Sequence, residues 1–258
     1  MKEVLSTFQE EATKRVLKGV MGITSFEPVY STLLPIQKKK LEKICGNQLD
    51  TLKKKGYFIT IAYAYPNYAI RSIDIKKRGS FDKEAWNIYA DWYPRLNNAL
   101  NDTVTRLAQV VDGIPLMATL TGEAEKVNHV EDYYSMVVSH RIPGLLSGIG
   151  WKGKNELVVN PRYGCAIRLA SIITATPMES TCAEYTGCGT CSSCLEVCSF
   201  LSQKDILPNY REQCRIYMLS LGLEQFVCGK CIKACSESPG LLAARNQNST
   251  KSTIYYTQ

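Results

Sequence analysis

Val4, Leu5, Phe8, Ala12, Val16 and Leu17 recur at helical spacing, which lays one apolar stripe along a helix. A second amphipathic stretch runs on from about Pro35, so the first 55 residues are expected to be helical. The run Tyr57 to Tyr65, YFITIAYAY, is β-branched and aromatic and predicts a buried strand. A long helix is expected from about Phe81 to Val111, then a short strand near Pro115 to Leu120. Two more strands are expected at Glu156 to Asn160 and Cys165 to Thr176. Helices and strands mixed in this way predict a layered α+β domain.

That pattern stops near Pro177. Of the eleven cysteines in the 258 residues, nine fall between Cys182 and Cys235, with Gly, Ser and short helical pieces among them. The expected organisation is a core domain over 1–178, a cysteine-rich domain over 179–245 and a loosely held polar tail over 246–258. The length supports a real core, which excludes a disulfide-stapled miniprotein. The cysteine count is odd. The N-terminus MKEVLSTFQEEATKRV carries acids where a secretory signal needs an apolar run, and no stretch of about eighteen apolar residues occurs. The chain is therefore expected to be cytoplasmic and not membrane-bound, with cysteines serving as metal ligands or redox groups. Histidine occurs only as His129 and His140, so metal chemistry here means thiolate chemistry.

The net charge is +7, and the first 60 residues hold ten Lys and one Arg against six acids. Such a balance could attract nucleic acid, an acidic protein or an anionic cofactor tail. No aromatic residues interleave the runs Lys38-Lys39-Lys40 and Lys53-Lys54-Lys55, as a single-strand stacking platform would require. Solvated helix faces are the favoured reading of them.

Cys188, Cys191, Cys194 and Cys198 are spaced C-x2-C-x2-C-x3-C, and Cys214, Cys228, Cys231 and Cys235 are spaced C-x13-C-x2-C-x3-C. Three thiolates on a tight turn can cap three irons of a cubane, while the fourth iron takes a ligand from elsewhere. By the exchange rule of two-cluster ferredoxins, Cys188, Cys191, Cys194 and Cys235 hold one [4Fe-4S] cluster. Cys214, Cys228, Cys231 and Cys198 then hold the other. The alternative is a pair of structural zinc sites, although zinc ligand pairs are usually separated by a dozen or more residues. The proline that commonly follows the fourth cysteine is Ser199 in one motif and Ser236 in the other. Cys45 and Cys165 are expected to be inert buried thiols, and Cys182 has no ligand vacancy to fill.

Gly148-Ile149-Gly150-Trp151-Lys152-Gly153 spells G-x-G-x-x-G, and the stretch to Lys154 resembles a P-loop. Asn155 stands where a P-loop needs Ser or Thr, and a strand-like ELVVN follows where a helix should begin, so a nucleotide site is disfavoured. The glycines suit either close approach to something flat or a tight turn.

Taken together, RIPGLLSGIGWKGKNELVVNPRYG, CGTCSSCLEVC, REQCRIYMLSLG and CGKCIKAC resemble the epoxyqueuosine reductase family. The resemblance runs from about Tyr57 to Cys235. It implies a cobalamin-dependent oxidoreductase, related to reductive dehalogenases, with a nitroreductase-like core domain followed by a two-cluster ferredoxin-like domain. It further implies base-off cobalamin against Gly148, Gly150, Trp151, Gly153, Lys154 and Asn155, and electrons supplied by a low-potential donor such as ferredoxin or flavodoxin. Epoxyqueuosine in tRNA is the first substrate it suggests. Where the family carries a proton-donating aspartate this chain has Tyr134, with Asp132 two residues earlier; tyrosine fills that role in the related dehalogenases. No twin-arginine leader is present, an expectation against an exported dehalogenase. The family's basic helical-repeat extension after the clusters is also missing, which motivates a second reading: an electron-transfer or corrinoid-handling protein serving a partner's cobalamin. A plain ferredoxin would leave the first 178 residues without a role.

Overall fold

The computed structural model describes residues 1–75, 81–119, 128, 139–207, 209–241 and 253–257. Helix α1, Lys2–Lys14, follows the expected apolar stripe, burying Val4, Phe8 and Ala12. It ends earlier than the periodicity suggests. Val16 turns out to solvent at a φ of 55°, and the chain reverses into strand β1, Gly19–Ser25. This strand falls inside the segment expected to be helical. Helices α2 (Phe26–Thr32), α3 (Pro35–Cys45) and α4 (Leu49–Lys55) follow, then strand β2, Tyr57–Ala64, where the YFITIAYAY run predicts it.

Helix α5 (Asn67–Arg71) leads to α6, Lys83–Val110, whose first turn is capped by the Asp82 carboxylate accepting from the Ala85 amide at 2.9 Å. Strand β3 (Ile114–Leu116), helix α7 (Arg141–Leu146), the hairpin strands β4 (Trp151–Lys152) and β5 (Val158–Val159), and strand β6 (Ile167–Thr174) complete the core. The main sheet is ordered β3-β6-β2-β1-β7, with antiparallel pairings throughout. Strand β7 is Tyr255–Tyr256: the expected loose tail returns as an edge strand opposite Val20 and Met21. The Thr257 hydroxyl also accepts from the Gly19 amide at 2.7 Å.

Strand alternation divides the core. Met21, Ile23, Ile59, Ile61, Tyr63, Ala170 and Ile172 face α1 and α6, meeting Phe8, Leu96 and Leu100. Phe58 and Ile173 point the other way, toward Phe26 and Leu52 of α2 and α4. Both faces are therefore covered. Helix α1 is tied to α6 by Glu11, buried beneath Arg15 and Arg106; burial opposes its ionisation, but the two guanidinium partners outweigh it and hold the carboxyl below its ordinary range.

After β6 come the short helices α8 (Ser193–Glu196), α9 (Ser199–Ser202), α10 (Tyr210–Ser220) and α11 (Lys230–Ser236). The molecule is thus a mixed helix-and-sheet protein, with the eight cysteines of its two motifs in a helical module after β6. Among the described residues, no helix is long and apolar enough to cross a membrane.

Candidate metal centre

The two cysteine motifs interleave in space. Helix α8, carrying Cys194, packs on α11, carrying Cys231 and Cys235; α9, just after Cys198, packs on α10, carrying Cys214. The electrostatic neighbours of two of the sulfurs also cross between the motifs. Burial pushes the Cys194 thiol up to about 11, and Cys235, Cys188 and Cys191 add to the rise. The buried Cys231 thiol is raised well above its ordinary value, first by burial and then by Cys228, Cys214, Cys198 and Cys194. The first grouping takes one cysteine from the far motif and the second takes two. Among the described residues, no three Cys, His, Asp or Glu side chains close on a single ion-sized point.

The module is seated on the core through backbone acceptors. The Trp86 indole donates to the Cys228 carbonyl at 2.8 Å, and Lys233 Nζ donates to the carbonyls of Arg71 and Ile73 at 2.8 and 2.7 Å. Gly229, at a φ of +76°, lets the loop before α11 lie against Ile73 and Tyr89, where an added Cβ would meet ring and methyl atoms at 2.7 to 2.9 Å.

The Gly148 to Asn155 segment makes the second contact with the module. The Trp151 indole N–H donates to the Cys188 sulfur at 3.3 Å, and its ring lies 5.4 Å from that of Tyr185. Tyr185 in turn donates to the Gly148 carbonyl at 2.7 Å. Lys154 Nζ donates to the Gly189 carbonyl at 2.9 Å, and the buried Asn155 amide donates to the Cys165 sulfur at 3.1 Å. Glu156, at the hairpin turn, accepts from Lys152 at 2.8 Å and from Lys204 of the module at 2.6 Å. Although burial opposes its charge, those lysines hold its carboxyl below the usual range.

The close approach that the three glycines permit is to the chain's own atoms. A Cβ on Gly150 would lie 2.2 Å from the Val159 carbonyl oxygen, one on Gly148 2.6 Å from the Ala183 nitrogen, and one on Gly153 2.6 Å from Asn155 Oδ1. Of the two readings of these glycines, the tight turn accounts for this packing: G-x-G-W-x-G closes a β-hairpin. Tyr134, Asp132 and His129 lie outside the described residues.

Two features were not legible in the sequence. Cys165, expected to be inert, is buried and packed with Cys235, and its Sγ lies 4.0 Å from the Cys231 carbonyl. Tyr185 carries no motif at all. The only advance signal for Cys165 was its place between the glycine segment and the cysteine motifs. Cys45 is the inert kind, its thiol pushed to about 11 by burial alone, and Cys182 is exposed.

The molecule is thus an antiparallel α/β-layered core joined to an eight-cysteine helical module, and its similarities follow that architecture. In sequence and in fold it resembles the epoxyqueuosine reductases. That of Listeria monocytogenes is 31% identical over 150 residues, 57% of this chain and 35% of that protein. The Bacillus cereus enzyme is 25% identical over 253 residues, 86% of this chain and 61% of its own. The structure of the epoxyqueuosine reductase from Streptococcus thermophilus aligns with a TM-score of 0.51 at 15% identity, covering 92% of this chain and 66% of that one. This chain spans between 35% and 61% of the length of these and similar curated relatives. No protein-family profile matches it.

Proposed function

We propose that this chain is an iron-sulfur oxidoreductase of the epoxyqueuosine reductase kind, its core nitroreductase-like over 1–178 and its 179–245 module ferredoxin-like, holding two [4Fe-4S] clusters. The observation that supports this reading is the packing of α8, with Cys194, on α11, with Cys231 and Cys235, and of α9, just after Cys198, on α10, with Cys214. Eight thiols of this kind suit iron-sulfur ligation, in which iron takes the place of the thiol proton. The clusters, when bound, supply one-electron transfer. The chain's own residues enclose Cys194 beneath α11, seat the module on Trp86 and Lys233, and brace it against the β4-β5 hairpin.

Of the residues expected to cradle the cobalamin implied by the resemblance, Gly148, Gly150 and Gly153 have their Cβ sides filled by the chain, and Trp151, Lys154 and Asn155 are engaged with the module or with Cys165. Tyr134 is proposed as the proton donor, a role that a phenol hydroxyl can fill. The proposed partners are a low-potential electron donor and tRNA carrying epoxyqueuosine.

The test is turnover of epoxyqueuosine-containing tRNA by the reconstituted protein, with low-potential reductant and cobalamin supplied. Conversion to queuosine is the expected outcome, and Tyr134→Phe should lower its rate about 100-fold, the lower end of general-acid contributions. An intact protein with full iron that leaves this tRNA unchanged would favour the electron-transfer or corrinoid-handling reading. An unaltered rate in Tyr134→Phe would remove that residue from the mechanism.

A further inference from the structure

Trp151 and Cys165 come from the core, yet both lie against cysteines of the same proposed cluster. The Trp151 indole N–H lies 3.3 Å from the Cys188 sulfur. Cys165 is buried in a small apolar nest with Val159 and Leu241, packed against Trp151 and Cys235. Its Sγ lies 4.0 Å from the Cys231 carbonyl and accepts from the Asn155 amide at 3.1 Å. The nest is anchored to the module by Lys154 on the Gly189 carbonyl and Tyr185 on the Gly148 carbonyl, so Trp151 cannot swing away without opening the hairpin contact.

We infer that Trp151 is a tuning residue of the cluster held by Cys188, Cys191, Cys194 and Cys235, raising its reduction potential by donating a hydrogen bond to one of its four ligand sulfurs. The inference rests on the two-cluster reading above. Reduction adds negative charge to the cluster and its sulfurs, so a fixed donor stabilises the reduced form more than the oxidised one. The low polarity of the nest that Trp151 packs against strengthens the effect. The glycine-tryptophan segment thereby acts on electron transfer through the cluster it touches.

The experiment is a redox titration of the anaerobically reconstituted full chain, with dithionite as reductant and EPR as readout. It compares the wild type with Trp151→Phe. In Trp151→Phe, one of the two midpoint potentials should fall by about 59 mV, a tenfold loss of electron affinity for a one-electron couple, with the other unmoved. Wild-type iron well below about eight per chain would refute the cluster reading itself. Full iron with both midpoints unmoved in Trp151→Phe, or with both moved equally, would overturn the inference alone. Where Trp151→Phe does not retain iron, wild-type protein labelled with 15N-tryptophan reads the same bond. A 15N coupling to a reduced cluster supports it, and its absence overturns it.

Discussion

Both ring nitrogens of His140 are engaged in the buried space between the sheet and α7. Nε2 lies 2.8 Å from the Met117 carbonyl, which can only accept, and Nδ1 lies 3.0 Å from the Ser171 hydroxyl. Ser171 shares a further hydrogen bond with Thr60 across β2 and β6 at 3.1 Å. A second proton on this ring would have no acceptor other than the Ser171 oxygen. Burial, opposed by the Met117 carbonyl and reinforced by Arg168, lowers the His140 pKa to about 4 from an ordinary 6.5. Between those values the unfolded chain binds a proton that the folded chain refuses, so stability declines as pH falls from about 6.5 to about 4 and is unaffected by this group above that window. The full effect is about 3 kcal/mol. Urea unfolding at pH 7 and at pH 5 should show the decline in the wild type and a much shallower one in His140→Gln; equal slopes would exclude His140 as its source.

The β4-β5 hairpin depends on Gly150 at the scale of an element, because β5 passes so close that the Val159 carbonyl occupies the place of a side chain. Gly150→Ala forces the two strands apart at a cost of about 3 kcal/mol, and the shift reaches Trp151 and Cys188. Lower thermal stability together with weaker retention of iron is the expected outcome, read by unfolding and iron assay on one preparation. Unchanged stability would mean that the hairpin opens without penalty. Elements with strong local patterns were legible in the sequence: β2 in YFITIAYAY, α6 in its apolar stripe, β6 in Ile167, Leu169, Ile172 and Ile173. Strand β1 was not, because it is buried along nearly its whole length and shows no polar alternation to set it apart from the helix before it. Its two-residue partner β7 exists only through that pairing, which nothing local in a polar tail could announce.

The module's cysteine spacing is where its proposed chemistry is legible; Cys235, Cys188 and Cys191 stand around Cys194, and Cys228, Cys214, Cys198 and Cys194 around Cys231. What spacing could not convey is the second layer. The placement of Trp151 and Cys165 against Cys188 and Cys235 depends on a hairpin and a strand end from a different part of the chain. The molecule as a whole then reads as a core that positions an electron-transfer module by backbone contacts from α5, α6 and the hairpin, with the buried sulfurs lying between motifs. The central claim is that eight thiols, four from each motif, hold two cubanes by exchanging their last cysteines. Iron and acid-labile sulfide counted on the anaerobically reconstituted full chain test it most directly. The account predicts about eight of each per chain; about two zinc ions with no sulfide would contradict it.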